Sequence, residues 1–325
     1  MAQTESQLEI YKIILGRKTV REIIKEKEHV RNRNIEDNTL FSLLFSKMLH
    51  TLTQNTAWRS DRTKIGLSLF SNNGEDVNRI LTCHSEQNII EGFVDGGPYD
   101  KIRTAAQMNN VSDKMILGRD KMIASRFYLY MHLPLDSTVG LLFLERKTGQ
   151  SIKNAIEFFL KELLRTNRQI KLERFVPQSL IDEYKDAGIV DSFTFTDFIT
   201  TGVMDGNGID EIVRGYDVSI KITPTRENRP SYDLIRNALG FIGQGNFNIG
   251  NTTKSLSNFS KKKGTIKKDN KEYSFVIGDD LKIKPMIPIN DEMQDEETGM
   301  LKRADIKSMC DDLLAQIHEE VYIVG

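Results

Sequence analysis

The chain has 325 residues, 39% of them apolar, with 45 Lys and Arg against 46 Asp and Glu. These values fit an ordinary soluble globular protein of two domains or one large one, and they exclude a strongly basic or acidic molecule. The two distant cysteines, Cys83 and Cys310, argue against a disulfide framework and fit a reducing cytoplasm, and the five scattered histidines give no zinc-type spacing.

The N-terminus, MAQTESQLEIYK, lacks the basic-then-apolar pattern of a signal peptide. No window approaches the roughly 18 consecutive apolar residues of a membrane helix, so no membrane insertion is expected. The chain up to about Trp58 reads as mostly helical. Gly16 to Asn34 is highly charged and predicts a solvated helix. Thr39 is placed to cap a second helix carrying Leu40, Leu43, Leu44, Met48 and Leu49 near the 3.6-residue period. Ile65, Leu67 and Leu69 alternate with polar neighbours as in a strand, and Asn72, Asn73 and Gly74 signal a turn.

The middle is the best-defined region. Arg126 to Leu133 and Thr138 to Arg146 are β-type runs joined by a Pro-Leu-Asp-Ser turn, which predicts a hairpin. Ile152 to Leu164 predicts an amphipathic helix packed on it. Ile170 to Val176 reads as a strand. A helix from Gln178 should end at Gly188. Val190 to Ile199 alternates strictly and predicts a half-buried antiparallel strand. Val218 to Ile222 reads as a strand, Tyr232 to Phe241 as a helix, and Gly240 to Thr253 as a Gly/Asn-rich loop. Thr265-Ile266 and Tyr273 to Ile277 read as strands, and Leu281 to Ile289 as extended chain. Ala304 to Val321 reads as an amphipathic helix with Ile306, Met309, Leu313, Leu314 and Ile317 on one face. Strands and helices do not alternate as βαβ. The expected fold is therefore α+β, a mainly antiparallel sheet with packed amphipathic helices and a helical N-terminal part. The expected division is a partly helical α/β region over 1–120, then an α+β domain over 121–325 with a basic hairpin at 254–276 and the C-terminal helix.

That basic hairpin is the strongest functional signal. Residues 252–275 read TTKSLSNFSKKKGTIKKDNKEYSF, with Lys254, Lys261, Lys262, Lys263, Lys267, Lys268 and Lys271. A cationic cluster on a near-neutral chain suits a polyanion, with lysines on phosphates and Phe259 or Tyr273 free to stack on a base. The bland alternative is a hairpin made soluble by its lysines. Arg17, Lys18 and Arg21 are weaker phosphate candidates. No recognition helix with base-reading Arg or Asn is evident, so binding should be largely independent of sequence.

A second chemistry is legible around Glu145-Arg146-Lys147. Asp136, Glu145 and Lys147 follow the acid, acid, lysine order of restriction-type nucleases, in which two carboxylates hold Mg²⁺ and the lysine activates water. The alternative is a charged strand end. Asp205 to Glu211 fails the calcium-loop pattern at Ile209 and Asp210. The glycines of 240–250 lack phosphate-loop spacing. His132 reads as a packed residue, and Cys83-His84 lacks an oriented third partner.

The order of elements from Arg126 onward resembles the phage-exclusion protein RexA and its relatives among bacterial antiviral proteins. The resemblance rests on RFYLYMHLPLDSTVGLLFLERKTG, IKLERFVP, VDSFTFTDF, YDVSIKITP, KKKGTIKKDNKEYSF, LKIKPMIPIN and the closing helix. It implies a cytoplasmic homodimer that binds DNA without strong sequence preference in an abortive-infection response. A second defence subunit, in some cases membrane-embedded, would act beside it. It implies no cofactor and transfers no catalytic residue. The alternatives carried forward are the Mg²⁺-dependent nuclease and a protein-interaction subunit using the face Ile306 to Ile317.

Overall fold

A computed structural model gives the fold over residues 6–27, 35–54, 56–70, 77–107, 109–147, 149–164, 170–181, 189–203, 212–223, 225, 246–249, 252–268, 271–277, 283–285, 287–295 and 298–322. The expected turn at Asn72 to Gly74, the helix Tyr232 to Phe241, the loop at Asp205 to Glu211 and the glycines of 240–245 lie outside these residues.

The chain divides into two compact units. One combines Met1–Phe175 with Ile287–Gly325, and the other is Val176–Met286. The first unit runs β1 (Ser6–Ile14), α1 (Val20–Lys27), α2 (Asp37–Leu52), β2 (Trp58–Ser60), β3 (Ile65–Ser68), α3 (Val77–Ile80), β4 (Leu81–His84), β5 (Ile89–Pro98), β6 (Arg103–Gln107), β7 (Asn110–Leu117), β8 (Ser125–His132), β9 (Val139–Lys147), α4 (Lys153–Leu164) and β10 (Lys171–Phe175). The second unit carries β11 (Ile189–Val203), β12 (Ile212–Ile222), β13 (Asn246–Ile249), β14 (Thr252–Ser255), β15 (Lys261–Lys268), β16 (Lys271–Ile277) and β17 (Ile283–Pro285). The first unit closes with β18 (Ile287–Pro288) and α5 (Arg303–Tyr322).

In the first unit the sheet order is β10-β1-β9-β8-β5-β3-β2, with β18 also on β1 and β4 also on β5, every pairing antiparallel. The mainly antiparallel α+β expectation holds, but the helical N-terminal part does not. Strands dominate residues 1–120, although α1 and α2 are present. The physical cause is β1. Its apolar SQLEIYKII pairs with β9 on one side and β10 on the other, and this non-local pairing overrides local helical character. Helix α1 is not a solvated helix over its described residues either, because Val20, Ile23 and Ile24 are buried. Helix α2 starts at Asp37, with Glu36 rather than Thr39 at its N-cap.

A boundary near residue 120 would cut one sheet in two, because β5 pairs with β8 from Ile89↔His132 to Gly96↔Ser125. The expected hairpin of β8 and β9 forms, in the register Leu129↔Leu144 to His132↔Leu141. Helix α4 buries Ile156, Phe159, Leu160, Leu163 and Leu164, with Ile152 just before it. On β8 the pleat sends Phe127, Leu129 and Met131 into this core with α2 and α4. Tyr128, Tyr130 and His132 take the other face, where Tyr130 Oη donates to Asp311 Oδ1 of α5 at 2.7 Å. Helix α5 buries Ile306, Cys310, Ile317 and Val321, so Cys310 takes the place expected for Met309.

The second unit holds a five-stranded sheet in the order β12-β11-β15-β16-β17 and a β13-β14 hairpin.

Candidate nucleic-acid interface

The lysine-rich segment folds as a hairpin of β15 and β16, with most of its lysines on the strands themselves. Strand β15 pairs with β11 on one side and β16 on the other. The period-two pleat therefore splits Lys261-Lys262-Lys263 between the two faces of a sheet. Lys261 and Lys263 are exposed, whereas Lys262 is only 5% exposed. Lys262 lies opposite Phe195, on the inward face that also buries Phe193, Asp197 and Leu256. The rings of Phe195 and Phe259 meet edge-on at 6.4 Å. Lys262 is thus part of the unit's interior and is removed from the phosphate-binding set. Phe259, offered as a stacking ring, is buried too.

The outward face is built by three strands in phase. One row across the sheet is Lys221–Thr194–Lys263, and the next is Ser219–Thr196–Lys261. A third position pairs Phe198 with Asp217. Lys221, Ser219, Asp217, Lys261 and Lys263 are exposed, Thr194 and Thr196 are half-buried, and Phe198 is 60% exposed. Thr196 Oγ1 and Ser219 Oγ lie 3.3 Å apart, tying β11 to β12 through side chains on this face. Among the described residues, three ammonium groups, two rows of hydroxyls and an aromatic ring therefore share one surface, with the Asp217 carboxylate beside the ring.

Lys254 falls on β14 opposite Phe247, Lys267 on β15 opposite Glu272, and Lys268 opposite Lys271 at the hairpin end. The side chains of these four lysines and of Tyr273 lie outside the described residues. Lys221 was missed as a site residue because it stands alone in sequence. Its signal was the alternation of DVSIKI, which puts Lys221 in the same phase as Ser219.

Of the weaker cations of the first unit, Arg17 is exposed, and Lys18 and Arg21 are engaged within their own fold. Lys18 pairs with Glu26. Arg21 Nε donates to Asp136 Oδ1 at 2.7 Å, and its Nη2 donates to Asp37 Oδ2 at 2.9 Å. This guanidinium holds the Asp136 carboxyl below its ordinary range.

Asp136, Glu145 and Lys147 are not brought together. Asp136 sits in the β8-β9 turn, and Glu145 lies toward the far end of β9. Val139 to Glu145 alone spans roughly 20 Å at strand rise. Glu145 is buried and accepts hydrogen bonds from Ser6 Oγ and the Tyr128 amide, both at 2.8 Å. Lys147 Nζ is 3.6 Å from Glu145 Oε1. The Glu145 carboxylate is thus committed to joining β1, β8 and β9, and Asp136 cannot share a metal with it. Among the described residues no group of three or more His, Cys, Asp or Glu is arranged to hold a metal ion.

Two histidine positions gain definition. His84 Nε2 lies 3.3 Å from Glu91 Oε1, so a third group does orient it. Burial pushes the neighbouring Cys83 thiol up to about 11, away from the thiolate form that a nucleophile uses. His132 is packed, as expected, with Nδ1 3.0 Å from Tyr322 Oη. Burial, aided by His318, pushes it down to about 4.

No family model, curated protein or solved structure matches this chain. No helix among the described residues is long and apolar enough to cross a membrane.

Proposed function

We propose that the protein binds DNA through the outward face of the second unit's sheet, largely irrespective of base sequence, within a bacterial or prophage antiviral response of the abortive-infection type. The supporting observation is the convergence of Lys221, Lys261 and Lys263 on one exposed face of three paired strands. Lysine is a flexible point charge suited to phosphate, and the threonine and serine hydroxyls between the lysines suit phosphate oxygens equally well. None of these groups has the forked geometry that reads a base edge, hence the weak sequence preference.

The defence setting, a bacterial cytoplasm, a homodimer and a second defence subunit come from the family resemblance. Ile102, Met115 and Ile116, exposed on or beside the β6-β7 hairpin, supply apolar surface for a protein contact. No catalytic step and no cofactor are assigned.

An electrophoretic shift on random-sequence DNA tests the binding. The variant Lys221→Glu/Lys261→Glu/Lys263→Glu should lose the shifted band while keeping the native circular dichroism spectrum. Equal shifts by the two folded proteins would remove this face from the account.

A further inference from the structure

We propose that the strand taken by this face is single-stranded nucleic acid, with one base stacked on Phe198 and the adjoining phosphates held by Lys261 and Lys263. The proposal rests on the binding assignment above and deepens it. Phe198 belongs to β11, whose pleat buries Phe193 and Phe195 inward and turns Phe198 outward, leaving the residue 60% exposed. An apolar side chain left this exposed on a sheet surface keeps a hydration cost that burial against a ligand would relieve. A nucleobase offers a flat π-face that does, and aromatic platforms beside cationic tracks are how unpaired strands are held.

The ring's neighbours set a polarity for the bound nucleotide. Lys261 lies opposite Thr196, so it is the diagonal neighbour of Phe198, about 7–8 Å away across the strands. Asp217 lies directly opposite Phe198 on the other side, at β12. Its carboxylate repels phosphate there, so the sugar–phosphate chain is displaced toward β15 and its lysines, leaving the base over the ring. Thr194, Thr196 and Ser219 line the path with hydroxyls. A duplex fits poorly, because its bases are already stacked and paired and present no free π-face to a sheet. Phe198 would then meet only backbone and water. DNA and RNA single strands share the required chemistry.

Fluorescence anisotropy with a labelled mixed-sequence 20-nucleotide strand, as DNA and as RNA, and with the same DNA as a duplex, tests this. The native protein should bind either single strand more tightly than the duplex. Phe198→Ala should weaken single-strand binding about 5- to 100-fold and leave duplex binding unchanged within about twofold. Phe198→Trp should restore the single-strand affinity. Single-strand affinity that is unaffected by Phe198→Ala, or a duplex bound as tightly as the single strand, would overturn the proposal. If Lys261→Glu/Lys263→Glu still abolished binding in that case, the interface itself would stand. If the lysine variant bound every probe as the native protein does, the interface would fall as well.

Discussion

Arg303, in the first turn of the C-terminal helix, grips Glu91 in the middle of the large sheet, 212 positions earlier in the chain. Its Nη2 lies 2.7 Å from Glu91 Oε1 and its Nε 3.1 Å from Oε2. The same guanidinium reaches Thr82 Oγ1 at 2.6 Å and the carbonyl of Arg79. Glu91 is 2% exposed and also accepts from Tyr128 Oη at 3.2 Å. The terminal helix is therefore fixed to the sheet by a buried ionic network as well as by its apolar stripe.

Removing Arg303 leaves the buried Glu91 carboxylate without its guanidinium partner. Arg303→Met should cost about 3–5 kcal/mol in urea unfolding, and the double change Arg303→Met/Glu91→Met should recover much of that loss. Equal losses in the single and double variants would show that a buried Glu91 carboxylate without its guanidinium carries no penalty of its own.

His132 gives the fold a defined acid sensitivity. Its folded pKa, about 4, lies below the ordinary value of 6.5. Between these values the unfolded chain binds the proton and the folded protein does not. The contribution is thus fully present above pH 6.5 and is lost as pH falls toward 4. The full shift corresponds to about 3 kcal/mol at 1.36 kcal/mol per pH unit. His132→Phe should flatten the decline in stability between pH 6.5 and 4. An unchanged pH profile would assign the decline to other groups.

Adjacent lysines in one run should behave differently. Lys262→Glu reverses a buried charge beside Phe195 and should destabilise the protein by about 3 kcal/mol. Lys263→Glu, on the exposed face, should stay within about 0.5 kcal/mol of the native protein and weaken nucleic-acid binding. The reverse pattern would mean that β15 presents its other face to solvent.

Gly97 on β5 has no room for a side chain. A Cβ there would lie 1.8 Å from the Ile123 carbonyl oxygen. Gly97→Ala should therefore cost at least about 3 kcal/mol, because backbone must move to relieve the contact. A native-like melting temperature would show that the 123–124 segment yields easily.

Local pattern carried the elements whose periodicity is clean. The β8-β9 hairpin, α4 and the alternating β11 are all recognisable from residues within one element. What local pattern could not carry is pairing over distance. Nothing in QLEIYKII says that β1 is held between β9 and β10, and nothing in Ile287-Pro288 says that the chain returns to β1 after 111 residues of another unit. The candidate interface was half legible for the same reason. The lysine run drew attention to β15, but β15's neighbours decide that Lys262 points inward. They also decide that Lys221 and Phe198, from two other strands, complete the surface. Similarly, Asp136 and Glu145 are close in sequence and far apart along an extended hairpin.

The salt dependence of binding to a labelled DNA strand tests the central claim most directly. With Lys221, Lys261 and Lys263 each neutralising a phosphate, the slope of log K against log salt should become shallower by about 2 on single strands, and by nearly 3 on duplex, when all three are changed to Ala. An identical slope for the native protein and the triple variant would contradict the account, whatever affinity the protein retained.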